Sequence, residues 1–405
     1  MGRVKQAILE AEARGWDAPD KFVCDRCVDD EYLGQLVSTH AVEKRCSYCG
    51  RRSKREIAAP VEVLMPPIAY ALQSNFVDPA SAGVPRGDGE WVTGESITFT
   101  RDALESLPLS GHDDLVEDVA GAFHNTAWYP CANGYWLDDH QHVELGYAWD
   151  AFVDAVKSRT RYFFQQPAPV EDELDHRRPL SPEALLRWIG DAARELDVVR
   201  PIAAGTPLFR VRLCSADDKF DTFKEMGPPP SSVAGAGRMN PAGISYLYTA
   251  LDSQTALAEV VPRPPCRAAI ATLRLRAEAR FLDLTVLPDV PSIYDEARAD
   301  TREVLLFLRR FVHAITQPVL KDGREHIDYV PSQIVSEYFS HVHRFDGQCL
   351  AGIVYPSAVR YGGKNVVLFP PDPTHSEWSD LVELQSTVHT EFGRWGDLAR
   401  AIRDR

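Results

Sequence analysis

The chain has 405 residues, 44% hydrophobic and 10% aromatic, a globular composition too long for one ordinary core, so two or three domains are expected. Its formal net charge of −15 argues against nucleic acid or an anionic membrane as the main partner, because both need a basic surface. No run of about 18 apolar residues and no apolar signal core occur, and the eight cysteines suit a reducing compartment, so a soluble cytoplasmic protein is expected.

Residues 2–16 read as a short helix with Val4, Ile8 and Ala11 on one side. Cys24-Asp25-Arg26-Cys27 and Cys46-Ser47-Tyr48-Cys49 follow, two CxxC pairs separated by 18 residues. Four thiolates at this spacing suit one tetrahedral zinc ion, and a small loop-rich segment would draw its folding energy from that metal. A redox CxxC needs only one pair. With Cys24, Cys27, Cys46 and Cys49 as ligands no position is left for water, so the zinc is read as structural, not catalytic. From Val61 to about Phe164 the pattern is mostly helical, with Val61–Leu72, Asp113–Phe123 and Tyr147–Val156 as the clearest helices. Gln165 to Pro179 is rich in Pro and acidic residues and reads as a linker. The expected division is therefore a zinc-binding helical domain over 1–165, a linker over 166–180 and a second domain over 181–405 with a helical C-terminal extension.

Ser181-Pro182-Glu183 opens a helix reaching about Leu196, with Ser as N-cap and Pro at the first helical position. Thr206–Leu213 alternates as a strand, and Phe220–Ala234 is a Pro- and Gly-rich loop. Ile244–Ala250, Ala268–Leu275, Phe281–Leu284, Gly352–Ser357 and Asn365–Phe369 read as further strands, and Arg302–Ile315 and Tyr329–Phe339 as helices. Strands and helices interleave without regular βαβ spacing, so the fold class is α+β.

The stretch Gly237 to Glu259 organises this half. It begins as a loop holding Arg238 and Asn240, passes through Tyr248 on a short strand, and enters a helix at Asp252-Ser253-Gln254-Thr255 that carries Glu259. An Arg on a loop, a Tyr on a strand and a Glu on the next helix suit a phosphorylated, sugar-bearing ligand. Taken singly, each has a plainer reading. Arg210 and Glu259 would be surface charges, Tyr248 a core residue, Ser357 a turn former and Arg238 a brace for its own loop.

In order along the chain stand Leu208-Phe209-Arg210, Gly237-Arg238-Met239-Asn240-Pro241, Leu247-Tyr248-Thr249-Ala250 and Ala256-Leu257-Ala258-Glu259. Tyr329-Val330-Pro331-Ser332-Gln333, Gly352-Ile353-Val354-Tyr355-Pro356-Ser357 and Val367-Leu368-Phe369 complete the series. Over roughly 200–370 the sequence resembles the RES domain, with Met239 standing where members more often have an aromatic or other bulky residue. The resemblance implies a fold like ADP-ribosyltransferase toxins and an enzyme that takes NAD as substrate and splits its nicotinamide–ribose bond. Hydrolysis, phosphorolysis and transfer of ADP-ribose to a protein all occur in that family. It also implies a toxin or defence effector, with an antitoxin or a modified protein as partner. It carries Arg210, Arg238, Tyr248, Glu259 and Ser357 across as site residues.

The chemistry asks for these residue types. Glu259 would stabilise positive charge developing on the ribose, Arg210 and Arg238 would grip the pyrophosphate, and Tyr248 would stack on nicotinamide or bond a ribose hydroxyl. Ser357 would hydrogen-bond nicotinamide or phosphate. The zinc segment and following helices resemble the helical N-terminal domain fused to RES domains, a distant relative of HEPN domains. HEPN ribonucleases carry an Arg followed closely by a His. Here Arg159 and Arg161 are followed by Tyr, Phe and Gln, so RNA cleavage is not expected. A catalytically silent nucleotide- or partner-binding module is the alternative of a different class.

Overall fold

The structure is a computed structural model that describes residues 12–81, 83, 86–87, 90–91, 97–135, 138–161, 180–261, 263–319, 323–371 and 377–403. The chain divides into two compact units, 1–144 with 289–306 and 145–288 with 307–405. The expected linker lies outside the described residues except for residue 180, as does most of the helix read at 2–16.

In the first unit β1 (Phe22–Cys24) pairs antiparallel with β2 (Ala58–Pro60), opposing Phe22 to Pro60 and Cys24 to Ala58. Helix α1 (Glu31–Thr39) is capped by Asp30, whose Oδ1 accepts from the Leu33 amide at 3.0 Å. Such a cap satisfies one of the free donors of the first turn and contributes about 1 kcal/mol. Helices α2 (Met65–Asn75), α3 (Thr100–Ser106) and α4 (Asp113–Ala122) complete the helical body. Beside them runs a small sheet of β3 (Phe76–Val77), β4 (Thr98–Phe99) and β5 (Ala127–Pro130), in the order β3-β5-β4.

Leu33, Val37, Leu64, Ile68, Leu72, Leu104 and Val119 fill this unit's core, and Tyr294 joins them from far along the sequence. The Tyr294 hydroxyl donates to the Leu107 carbonyl at 2.5 Å, and Ser292 Oγ donates to Asp30 Oδ2 at 2.9 Å. Burying an aromatic ring stabilises by roughly 1.5–3 kcal/mol, and here its hydroxyl is satisfied as well. That is why 289–306 folds with the N-terminal helices, a return that a division drawn in chain order does not anticipate.

The second unit takes up most of α5 (Gln141–Asp154), then α6 (Pro182–Glu195), whose N-cap Ser181 accepts from the Ala184 amide at 3.2 Å. Its centre is an eight-stranded sheet. The strands are β6 (Val199–Ile202), β7 (Pro207–Cys214), β8 (Leu247–Ala250), β9 (Cys266–Leu275), β10 (Ala279–Asp283), β11 (Gly352–Pro356), β12 (Lys364–Leu368) and β13 (Val382–Phe392). Their order is β13-β9-β7-β8-β12-β11-β10-β6, antiparallel throughout except between β10 and β11. Among the helices that accompany it are α7 (Phe223–Met226), α8 (Ser253–Val260), the part of α9 (Ala299–Thr316) from Phe307 on, α10 (Val330–Glu337) and α11 (Trp395–Arg403).

Strand alternation divides the apolar residues between two faces. Leu208, Leu247, Leu273, Phe281, Val354, Val366 and Leu368 pack together on one. Val211, Ala250 and Ala268 pack on the other, beneath Ala256 and Leu257 of α8 and Leu398 of α11. Three details differ from the sequence reading. Pairing in the run from Ile244 begins only at Leu247, and the loop Phe220–Ala234 contains the short helix α7, opened by a Thr222–Glu225 capping box. The C-terminal extension is half strand, because Val382, Thr387, Val388, Thr390 and Phe392 favour the pleated edge of β9 over a helix.

Candidate active site and cysteine cluster

Glu259 owes its position to α8. Asp252 caps that helix, its Oδ1 accepting from the Thr255 amide at 2.7 Å and its Oδ2 from Thr255 Oγ1 at 2.8 Å. Thr255, Ala256 and Leu257 are buried against the sheet, which turns Glu259 outward at the helix end. There Ser357 Oγ donates to Glu259 Oε1 at 2.7 Å and Asn365 Nδ2 donates to the same oxygen at 2.6 Å. Among the described residues nothing donates to Glu259 Oε2. Ser357 Oγ in turn accepts from the backbone amides of Val359 and Arg360 at 3.3 and 3.1 Å. With its acceptor sites taken by backbone, the hydroxyl proton is directed at the carboxylate. Arg360 braces the base of α8 through Thr255 Oγ1 at 3.1 Å and Asp252 Oδ1 at 3.5 Å.

Asn365 faces Ala250 across β8 and Tyr355 across β11. Tyr355 is buried, and burial pushes its hydroxyl well above the usual phenol range; the Glu259 carboxylate adds to this and Arg238 opposes it. Tyr355 therefore lies within electrostatic reach of both the carboxylate and the arginine loop.

That loop is held from several sides. The Tyr248 hydroxyl donates to Asn240 Oδ1 at 2.7 Å and accepts from the Met239 amide at 2.9 Å. Asn240 Nδ2 donates to the Gly235, Pro241 and Ile244 carbonyls. From α10, Gln333 Nε2 donates to the carbonyls of Gly237 and Asn240, and Ser332 Oγ to that of Arg238. A Cβ at Gly237 would lie 2.5 Å from Asn240 Oδ1 and 2.7 Å from the Tyr248 hydroxyl, so only glycine fits there. Met239 is fully buried beneath the loop. Arg238 Nη1 donates to the Ile315 and Gln317 carbonyls at 3.1 and 2.6 Å, where the end of α9 leaves carbonyls without helical partners, and its guanidinium lies 5.6 Å from the Tyr329 ring centre.

The structure thus joins Glu259 and Ser357, and it joins Arg238 and Tyr248 through the loop. Arg210 is placed elsewhere. It stands between Phe209 and Val211, which pack beneath α8, so alternation sends its side chain to the opposite face of β7. Its link to the others is a 2.9 Å hydrogen bond from Nη1 to the Tyr248 carbonyl. Asn365, Tyr355, Asn240, Ser332 and Gln333 are the functional candidates that residue-by-residue reading passed over. Tyr329–Gln333 stood out as a motif without a role, and Asn365 gave no signal inside an apolar strand. A cleft of about 1210 Å³ lined by Phe223, Ser340, His341 and Trp378 contains none of the expected site residues.

In the first unit the four expected cysteines come together. Cys24 Sγ lies 3.8 Å from Cys27 Sγ and 3.6 Å from Cys49 Sγ, and Cys27 Sγ lies 3.7 Å from Cys46 Sγ. All four sulfurs fall within 4.8 Å of one another. A tetrahedron with metal–sulfur bonds of about 2.3 Å has edges of about 3.8 Å, so the cluster could hold a metal ion. The β1–β2 pair and the turn at Gly50, with φ of 69°, set this spacing.

Comparison with known families bears on both units. The family model for the RES domain matches residues 207–385, and that for HEPN/RES N-terminal domain 1 matches residues 39–170. No curated protein matches the chain. The chain thus carries a RES domain and a HEPN/RES N-terminal domain, and the RES domain is consistent with an NAD-related toxin or effector function. Among the described residues no helix is long and apolar enough to cross a membrane.

Proposed function

We propose that the second unit cleaves the nicotinamide–ribose bond of NAD and that the protein acts as a bacterial toxin or defence effector. The observation that carries this reading is the Glu259 carboxylate, with one oxygen held by Ser357 and Asn365 and the other free of donors among the described residues. When the C1′–N1 bond breaks, its electron pair leaves with neutral nicotinamide, and the ribose carbon becomes oxocarbenium-like. A carboxylate whose orientation is already set needs no reorganisation to stabilise that charge or to bind the ribose hydroxyls. Ser357 and Asn365 position the carboxylate, Tyr248 and Arg238 shape the loop that receives the dinucleotide, and Arg210 supports Tyr248 through its carbonyl. An acceptor oxygen, from water, phosphate or a protein side chain, then closes the bond at C1′. The four-cysteine cluster holds a structural zinc ion in this reading. Incubating purified protein with NAD and following nicotinamide and the ribosyl product, with and without phosphate, tests the activity and identifies the acceptor. Lack of nicotinamide release under all these conditions would leave the silent binding module as the better account.

A further inference from the structure

The cleft of about 1210 Å³ lies wholly within the second unit. Phe223, Trp378 and Leu381 line it and pack against the apolar cluster around Leu247 and Leu368, on the sheet face turned away from α8. Phe369 and Leu350, both buried, complete an apolar floor. The space exceeds the roughly 300–1,000 Å³ common for small-molecule sites, so size does not prevent a ligand from entering.

The charges that line it are not balanced. Glu377 and Asp380 are engaged by the capping box that opens their own short helix. His341 and Arg344 come from the end of α10, where a π-helical turn over Tyr338–Val342 leads out of the helix. Turns of this kind are frequent at functional sites. Among the described residues neither cation forms an ion pair, although Glu337 lies within electrostatic reach of His341. The Arg344 carbonyl accepts from Arg194 Nη2 at 3.1 Å, which anchors its backbone and leaves the exposed guanidinium to the cleft. Behind Phe369, with ring centres 5.4 Å apart, Tyr246 is buried with its hydroxyl unpartnered. Ser336 Oγ is unpartnered too, about one turn before Ser340 of the lining.

Three aromatic side chains, Phe223, Phe369 and Trp378, offer a flat apolar body both area and favourable ring contacts. A planar guanidinium with free donors matches a carboxylate through two parallel hydrogen bonds. We propose that this cleft binds an aromatic carboxylate, its ring on the apolar floor and its charge at Arg344. His341 lies within the same lining and adds a second donor. The site is separate from Glu259, which α8 carries on the other face of the sheet.

Calorimetric titration of the full chain with 2-naphthoate, decanoate and the neutral 2-naphthalenemethanol, at constant ionic strength, tests this. The naphthoate should bind at one site and roughly tenfold tighter than the alcohol, as a charge-assisted contact requires. Arg344→Met should remove that preference, and decanoate should bind more weakly than naphthoate. Cys349 is exposed and lines the cleft, so on the unaltered protein naphthoate should slow its alkylation by iodoacetamide. Cys266, on β9, should react at an unchanged rate. Glu259→Gln should bind naphthoate as the parent does, and in that variant NAD should not displace it. Failure of the NAD reading would therefore leave this one standing. Lack of binding, decanoate binding as tightly, a preference kept by Arg344→Met, an unprotected Cys349 or displacement by NAD would overturn the proposal.

Discussion

Ser357 Oγ donates to Glu259 Oε1 at 2.7 Å across 98 residues of sequence, joining the end of β11 to the end of α8. A hydrogen bond to a charged group contributes about 1.5–3 kcal/mol, which in a transition state corresponds to roughly 10- to 100-fold in rate. If the carboxylate acts on the ribose cation, Glu259→Gln should lower kcat on NAD about a hundredfold or more while KM changes little. Ser357→Ala should lower kcat about tenfold, since Asn365 still holds the carboxylate. Steady-state kinetics on the folded variants decides this, and undiminished turnover by Glu259→Gln would remove the catalytic assignment.

Arg238 makes a different prediction, because its visible bonds are to the carbonyls of Ile315 and Gln317. Removing it frees the loop that Tyr248 and Asn240 shape, so Arg238→Ala should raise KM for NAD about tenfold with a smaller change in kcat. It should also speed proteolysis within 235–243. An unchanged KM together with an unchanged digestion pattern would show that the loop holds its shape without this side chain.

The cysteine cluster predicts about one zinc per chain in protein purified without chelator. Cys46→Ser should lose that metal and lower the thermal stability of the first unit by several degrees or more, because metal binding and folding are coupled. Elemental analysis and calorimetry measure both. Metal-free protein that melts as the untreated protein does would exclude a structural ion.

His343 should make stability depend on pH. It is buried among Tyr338, Phe339 and Phe345, and α6 lies so close that a Cβ at Gly190 would sit 2.4 Å from its ring. Burial lowers its affinity for a proton below the ordinary value of 6.5, and the Arg194 guanidinium, 3.4 Å from Nε2, lowers it further. The unfolded chain therefore takes up the proton first as pH falls. His343's contribution is complete above 6.5 and is lost as pH falls from 6.5 through the folded value. Melting temperature should drop between pH 7 and pH 5, and His343→Phe, which preserves the ring packing, should flatten that slope. An equal slope in the variant would assign the effect to other groups.

Much of this protein was legible along the chain because the relevant physics is local. Ser181 before Pro182, and Asp252 three residues before Thr255, announce helix starts that the backbone amides confirm. The two CxxC pairs bring their own spacing, and β-branched and aromatic runs mark most of the strands. The ordered Arg, Tyr, Glu and Ser residues identified the domain, but not which of them meet. Strand register decided that. It set Asn365 opposite Tyr355 beside Glu259, and alternation turned Arg210 to the other face of β7. A one-residue step along a strand reverses the direction of a side chain, and no motif records which face a helix will later cover. The return of Tyr294 to the core around Leu107 likewise depended on packing between residues 187 apart. Sequence by itself determined most of the elements, several of their caps and the residue types available for chemistry. Tertiary structure decided which of those residues share a face, because burial and register act between segments distant along the chain.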